Sequence, residues 1–133
     1  MKQGLGGLIA LLLSANLAFA ETDTQVLGPV SYVPLNPPIV GNYLSSGRLK
    51  LFKADISLRV SSEVAHDLVE HHEPLVRHEL VLLFAKQTDE TFQQAESKEA
   101  LRSEAFKLVR EALIAEDPRA VVDDLLFNNL MTQ

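Results

Sequence analysis

The side chains best suited to chemistry cluster between His66 and His78, where His66, Glu70, His71 and His72 precede His78-Glu79. His66 and Glu70 are one helical turn apart, and imidazole and carboxylate both suit zinc. The rest of the spacing works against a metal centre. His71 and His72 are about 100° apart around a helix. Neither His72-Glu73 nor His78-Glu79 is followed by the second histidine that a metalloprotease helix needs. A solvated polar helix face accounts for the cluster. Asp89-Glu90 and Asp123-Asp124 are candidate acid pairs, but with no partner motif they read as charge at element ends. There is no Gly-x-Ser-x-Gly nucleophile turn, and Gly6-Gly7 lies in an apolar leader and not in a phosphate loop. No catalytic, metal or cofactor residue is expected; the reading is a non-enzymatic protein that needs no cofactor.

The bulk properties point the same way. The formal charge of −6 predicts repulsion from nucleic acid and from anionic lipid. With no cysteine, neither a disulfide nor a thiolate site can form, and cysteine usage says nothing about compartment.

Compartment is read from the N-terminus. Lys2 is followed by a nearly unbroken apolar stretch from Leu5 to Leu17, and Ala18-Phe19-Ala20 places small residues just before Glu21. This is the pattern of a cleaved signal peptide, with Ala18, Ala20 and Glu21 marking the cleavage site. An uncleaved inner-membrane anchor is the alternative. A span needs about 20 apolar residues, and Leu5–Ala20 falls short of that and contains Ser14 and Asn16. Residues 1–20 are therefore expected to be a signal peptide, 21–28 a flexible mature N-terminus and 29–133 one periplasmic domain.

Within that domain, Pro29, Pro34, Pro37 and Pro38 punctuate an apolar segment and confine it to an extended edge. Asn42 to Gly47 reads as a turn. Alternation predicts a strand over Arg48–Val60, with a parity switch near Phe52 that implies a bulge or a strand buried on both faces. Ser61 or Ser62 should cap a helix using Val64, Leu68 and Val69, and Pro74 should sit in the first turn of a second helix that buries Val76, Leu80, Leu83 and Phe84. Thr88-Asp89-Glu90 predicts a short turn. A third helix is expected from about Ser97 to Leu113, and a closing strand within Ala120–Gln133. The sum is an α+β layer: a small antiparallel sheet carrying about three helices.

Several segments, in order, resemble the flagellar basal-body-associated FliL family. Tyr32-Val33-Pro34-Leu35 with Pro37-Pro38-Ile39-Val40 resembles that family's first segment, and Arg48-Leu49-Lys50 through Lys53-Ala54-Asp55-Ile56-Ser57-Leu58 its first long strand. Pro74-Leu75-Val76-Arg77 with Leu80-Val81-Leu82-Leu83-Phe84 is similar to its second helix, and Gln87-Thr88-Asp89 to the following turn. Lys98-Glu99-Ala100-Leu101-Arg102 matches too, with Ser97 where the family usually has Gly. The terminal run from Val122 to Gln133, with Phe127 near its middle, is similar to the family's last strand. The resemblance spans about Pro29 to Gln133. It implies a fold related to the stomatin-type band domain, self-association into homo-oligomers, and association with flagellar stator units or other inner-membrane and envelope proteins in support of motility. Family members generally keep a transmembrane helix, so the signal-peptide-like leader here implies a soluble variant, alternatively a general envelope accessory unrelated to the flagellum.

From the residues themselves, the interface candidates are the proline-rich segment and the ends of the long strands, where unpaired edge backbone can accept another chain. Tyr32, Pro34, Pro37, Pro38 and Phe127 mark those places.

Overall fold

Prolines split one long edge strand into two. In the computed structural model, which describes residues 28–133, Ser31–Pro34 forms β1 and Ile39–Ser45 forms β2, with a cis Asn36–Pro37 peptide between them. Both pair antiparallel with β3, Arg48–Val60, β1 along its C-terminal end and β2 along its N-terminal end. The chain then forms helices α1 (Glu63–His71), α2 (Glu73–Ala85), α3 (Asp89–Gln93) and α4 (Ala95–Glu116), and closes with β4, Asp124–Thr132. β4 pairs antiparallel with β3. Residues 52–54 and 57–59 of β3 are shared by two partners, so β4 occupies the edge opposite β1 and β2. The fold is α+β, a four-stranded antiparallel sheet with helices on one face.

Alternation decides which face they cover. Phe52, Ala54, Ile56, Leu58 and Val60 of β3 are buried, in one core with Val33, Ile39 and Tyr43 on one side and Leu125 on the other. Val76, Leu80, Leu83 and Phe84 of α2, and Leu101, Ala105, Val109 and Leu113 of α4, complete that core. Their spacing is the helical stripe expected of elements laid on a sheet. Ser62 caps α1 by accepting the Ala65 N–H at 3.0 Å, and Pro74 lies in the first turn of α2, where its missing N–H leaves no bond unmade.

Several sequence expectations are corrected. The described residues form four helices: the turn expected at Asp89 is α3, fixed by burial of Phe92 against Tyr43, with ring centroids 4.7 Å apart. Asn42–Ser45 belong to β2, and the turn is only Ser46-Gly47, both with positive φ (53° and 74°), the geometry of a tight hairpin. Phe52 carries no bulge, because the β2–β3 register runs unbroken through it. The irregularity is in β4, where Asn129 pairs with Asp55 and Phe127 with Ile56, leaving Asn128 as the extra residue. The parity switch has a different origin: Leu49 and Leu51 lie on the sheet face that no helix covers. On α1 the core contact is made by Ala65 and Val69, with Leu68 partly buried against it as expected, while Val64 is exposed. α4 extends beyond both expected ends, and Ala120 and Val122 are buried ahead of β4, outside any strand.

Candidate interaction surface

Of the residues first singled out for chemistry, His66 is engaged in a contact between elements. His66 Nδ1 lies 3.1 Å from Ser31 Oγ and its Nε2 3.2 Å from Glu70 Oε1, a tie between α1 and β1. Among the described residues, no three His, Cys, Asp or Glu side chains converge to hold a metal ion. Asp123 bonds Ser61 Oγ, while Asp124 accepts from Arg102 Nη1 at 2.9 Å and from the Leu125 N–H at 2.8 Å. The two carboxylates are thus committed to different partners.

Asp89 does more. Its Oδ1 accepts the Tyr43 hydroxyl at 2.7 Å, its Oδ2 accepts from Lys50 Nζ, and its backbone N–H donates to Ser45 Oγ at 3.1 Å. One residue at the start of α3 therefore grips three side chains of the β2–β3 hairpin. Burial, and then the bond to Asp89, raise the Tyr43 phenol above its ordinary value. The bonds from Lys50 and Tyr43 hold the Asp89 carboxyl below its ordinary range. At the far end of α4 the Arg119 side chain, and then its backbone N–H, lower Asp117 to about 2.

A carboxylate with a lowered folded-state pKa stabilises the fold above its unfolded pKa, and that contribution disappears as pH falls through the folded value. For Asp89 the loss sets in below about pH 4. Asp89→Asn is accordingly expected to melt at lower temperature than wild type at pH 7, with the gap narrowing steadily below about pH 4. Thermal melts at both pH values check this; a gap independent of pH would show that the charge at Asp89 contributes nothing.

The hairpin so held presents apolar residues outward. On the uncovered face Leu44 pairs with Leu49, Asn42 with Leu51, and Val40 with Lys53, which in turn pairs with Met131 of β4. Leu49 is 71% exposed, Leu44 60% and Val40 52%. Together with Leu51 and Met131, which are also exposed, they make an apolar patch around Lys53, the kind of surface that marks interaction sites. Lys53 is the cation within the patch, whereas Arg48 and Lys50 alternate onto the other face, where Lys50 pairs with Asp89.

The residues read from sequence as interface candidates are spread over three places. Tyr32, 50% exposed, stands on the same uncovered face near the other end of β3, opposite Arg59. Pro34 follows on β1 opposite Ser57, and is also exposed. Pro37 and Pro38 lie in the connection to β2, where the Pro37 carbonyl accepts from Arg77 of α2. Phe127 is half-buried on the helix-covered face, its ring 5.9 Å from that of Phe84. Ala18, Ala20 and Glu21 fall outside the described residues. Sequence reasoning missed Val40, Leu44, Leu49, Leu51 and Met131. The signal was present in the odd parity of Leu49 and Leu51, which marks an apolar face of its own.

A groove of about 530 Å³ separates the first two turns of α4 from β4 and is lined by Ala95, Lys98, Glu99, Arg102 and residues 126–130. Arg102 bridges its floor, reaching Glu99, Asp124 and the Leu125 carbonyl. Glu99 first, and then Asp124, raise the Arg102 pKa and keep the guanidinium charged.

Compared with known families, the chain matches that of the flagellar basal body-associated protein FliL over residues 32–133, from the second residue of β1 to the last residue of the chain. No curated protein sequence matches it.

Proposed function

The chain belongs to the FliL family of flagellar basal body-associated proteins, and from that premise we propose that it acts by binding, without chemistry of its own, to support motility. Its finer role is association with stator units or neighbouring envelope proteins of the motor, aided by self-association. The observation that supports a binding role is the uncovered sheet face: Leu44 and Leu49 stand in solvent although the hairpin beneath them is anchored from its other face by Asp89. A surface that is apolar and yet rigid is suited to burying against another protein at little cost in ordering.

The test is genetic. A deletion strain is expected to swim more slowly or spread less in soft agar, with fewer stator units retained at the motor. Wild-type protein should restore both, whereas a Leu44→Glu/Leu49→Glu variant should accumulate, fold and fail to restore them. Unchanged swimming and unchanged stator retention in the deletion strain would refute the reading.

The place of action proposed is the periplasm, reached through a leader cleaved after Ala20. Among the described residues no helix is long and apolar enough to cross a membrane; attachment is proposed to turn on the fate of residues 1–20. A second reading, a general envelope accessory away from the flagellum, is favoured by Ala18-Phe19-Ala20, since cleavage there would release the domain from the membrane. N-terminal sequencing and fractionation of C-terminally tagged protein separate the two. A mature start at Glu21 in the soluble periplasm favours the free accessory, and an intact Met1 in the inner membrane favours the tethered motor component.

A further inference from the structure

Among the described residues, β4 has one edge bonded to β3 and one edge with no strand beside it. Leu51 and Gln133 exchange both backbone hydrogen bonds, at 2.9 and 2.8 Å. In an antiparallel ladder bonded and non-bonded pairs alternate, so Lys53 with Met131 and Asp55 with Asn129 are the next bonded pairs. The backbone groups of Leu130 and Thr132 consequently point away from β3. Beyond the Asn128 bulge the outward direction is marked independently, because the Leu125 carbonyl accepts from Arg102 of α4. Alternation then turns the N–H and C=O of Phe127 outward as well.

The two halves of this edge are treated differently. At Leu125 it is closed from within the fold, the N–H by the Asp124 carboxylate and the C=O by Arg102. From Phe127 onward no hydrogen bond from the rest of the described chain covers it, and residues 126–130 form the wall of the groove beside α4. The opposite wall carries Ala95, too small to fill the space, and Lys98, which forms no ion pair with a described residue, whereas Arg102 is paired with Glu99 and Asp124.

We propose that this groove takes an extended segment of another protein, which adds to the sheet as a strand along Phe127–Thr132 and is held down by α4. Its backbone pairs with the outward groups of Phe127 and Leu130, the mode by which exposed sheet edges capture peptides. An apolar side chain of the segment enters the space between Ala95, Phe127 and Leu130, and a neighbouring carboxylate meets Lys98. The chemistry selected is an extended sequence of alternating apolar residues with an Asp or Glu at its flank. Arg102 sets the limit of the site, since it occupies the position the next pairing would need. The proposal rests on the edge and the groove alone and holds whether or not the partner belongs to the flagellum.

The probe is a library of random ten-residue peptides displayed on phage and selected against the full chain, followed by synthesis of the enriched peptides. Enrichment of alternating apolar sequences with an acidic flank is expected. Binding should slow amide exchange at Phe127 and Leu130 by about tenfold or more while leaving Leu126 and Met131, whose amides already face β3, unchanged. Lys98→Glu is expected to weaken binding about tenfold, as for loss of a charge-assisted hydrogen bond. Ala95→Trp should block it by filling the groove; Ala95 is exposed and Lys98 half-buried, both outside the core, so melting is expected to stay close to wild type. Absence of enrichment, binding indifferent to both variants, or protection confined to Val40, Asn42 and Leu44 of β2 would overturn the proposal. Protection of Phe127 and Leu130 that rises with protein concentration, in the absence of peptide, would assign the edge to a second copy of this chain and overturn it too.

Discussion

Replacing Phe84 by alanine is expected to cost about 3–5 kcal/mol, the range for deleting a buried aromatic ring. Phe84 is fully buried in α2, and its ring lies 5.2 Å from that of Phe52 on β3, 6.5 Å from Phe92 on α3 and 5.9 Å from Phe127 on β4. It is therefore the point at which three other elements meet. Loss of the ring removes its own transfer energy and leaves a cavity walled by side chains on separate elements, which cannot all relax into it at once. For a domain of this size the melting temperature should fall by on the order of 20 °C. Leu82, two residues away but exposed, is the control, since its replacement by alanine should stay within about 0.5 kcal/mol. Chemical denaturation of both variants measures the contrast. A loss below about 1 kcal/mol for Phe84→Ala would mean that the aromatic cluster does not join the layers.

The second large effect comes from adding an atom. Gly41 of β2 pairs with Phe52, and a Cβ built on Gly41 would stand 2.6 Å from Phe52 Cζ and 2.8 Å from Cε1. The glycine is present because the ring lies across the strand, a close approach that no side chain permits. Gly to Ala in an unstrained strand ordinarily stabilises by about 0.4–1 kcal/mol by restricting the unfolded chain. Here the sign should reverse: the Phe52 ring is itself packed against Phe84 and cannot withdraw, so Gly41→Ala should destabilise by about 1–3 kcal/mol. A double-mutant cycle with Phe52→Leu isolates the clash. If overpacking is the cause, the alanine should cost much less in the Phe52→Leu background, a coupling of about 0.5–3 kcal/mol. Additive effects would place the cost elsewhere.

Both effects arise on the helix-covered face, and the proposed functions lie on the opposite face and on the free edge. The division follows from the sheet. Each strand has two faces of side chains and, among the described residues, the outer strands each have a free edge, but the helices satisfy only one face, and Arg102 with Asp124 only the first part of one edge.

Much of this was legible in the sequence. The alternation of Ala54, Ile56, Leu58 and Val60 set the central strand and its buried face, and the stripe of Leu101, Ala105, Val109 and Leu113 set α4, since strand and helix periods are local properties of the chain. Ser62 and Pro74 marked helix starts by chemistry that operates within one turn. The order of the segments along the chain also carried the family resemblance. Tertiary structure alone decided the rest. Asp89-Glu90-Thr91-Phe92 looks like a turn, and it becomes a helix because Tyr43, Lys50 and Ser45, more than 38 residues earlier, hold its first residue. The place of the bulge, at Asn128 and not near Phe52, depends on how β4 meets a strand that is distant in sequence. The uncovered Leu44 and Leu49 and the half-closed edge of β4 are likewise relations between elements. A sequence states which residues are apolar and which carry N–H groups; only the assembled layers determine which of them are left without a partner.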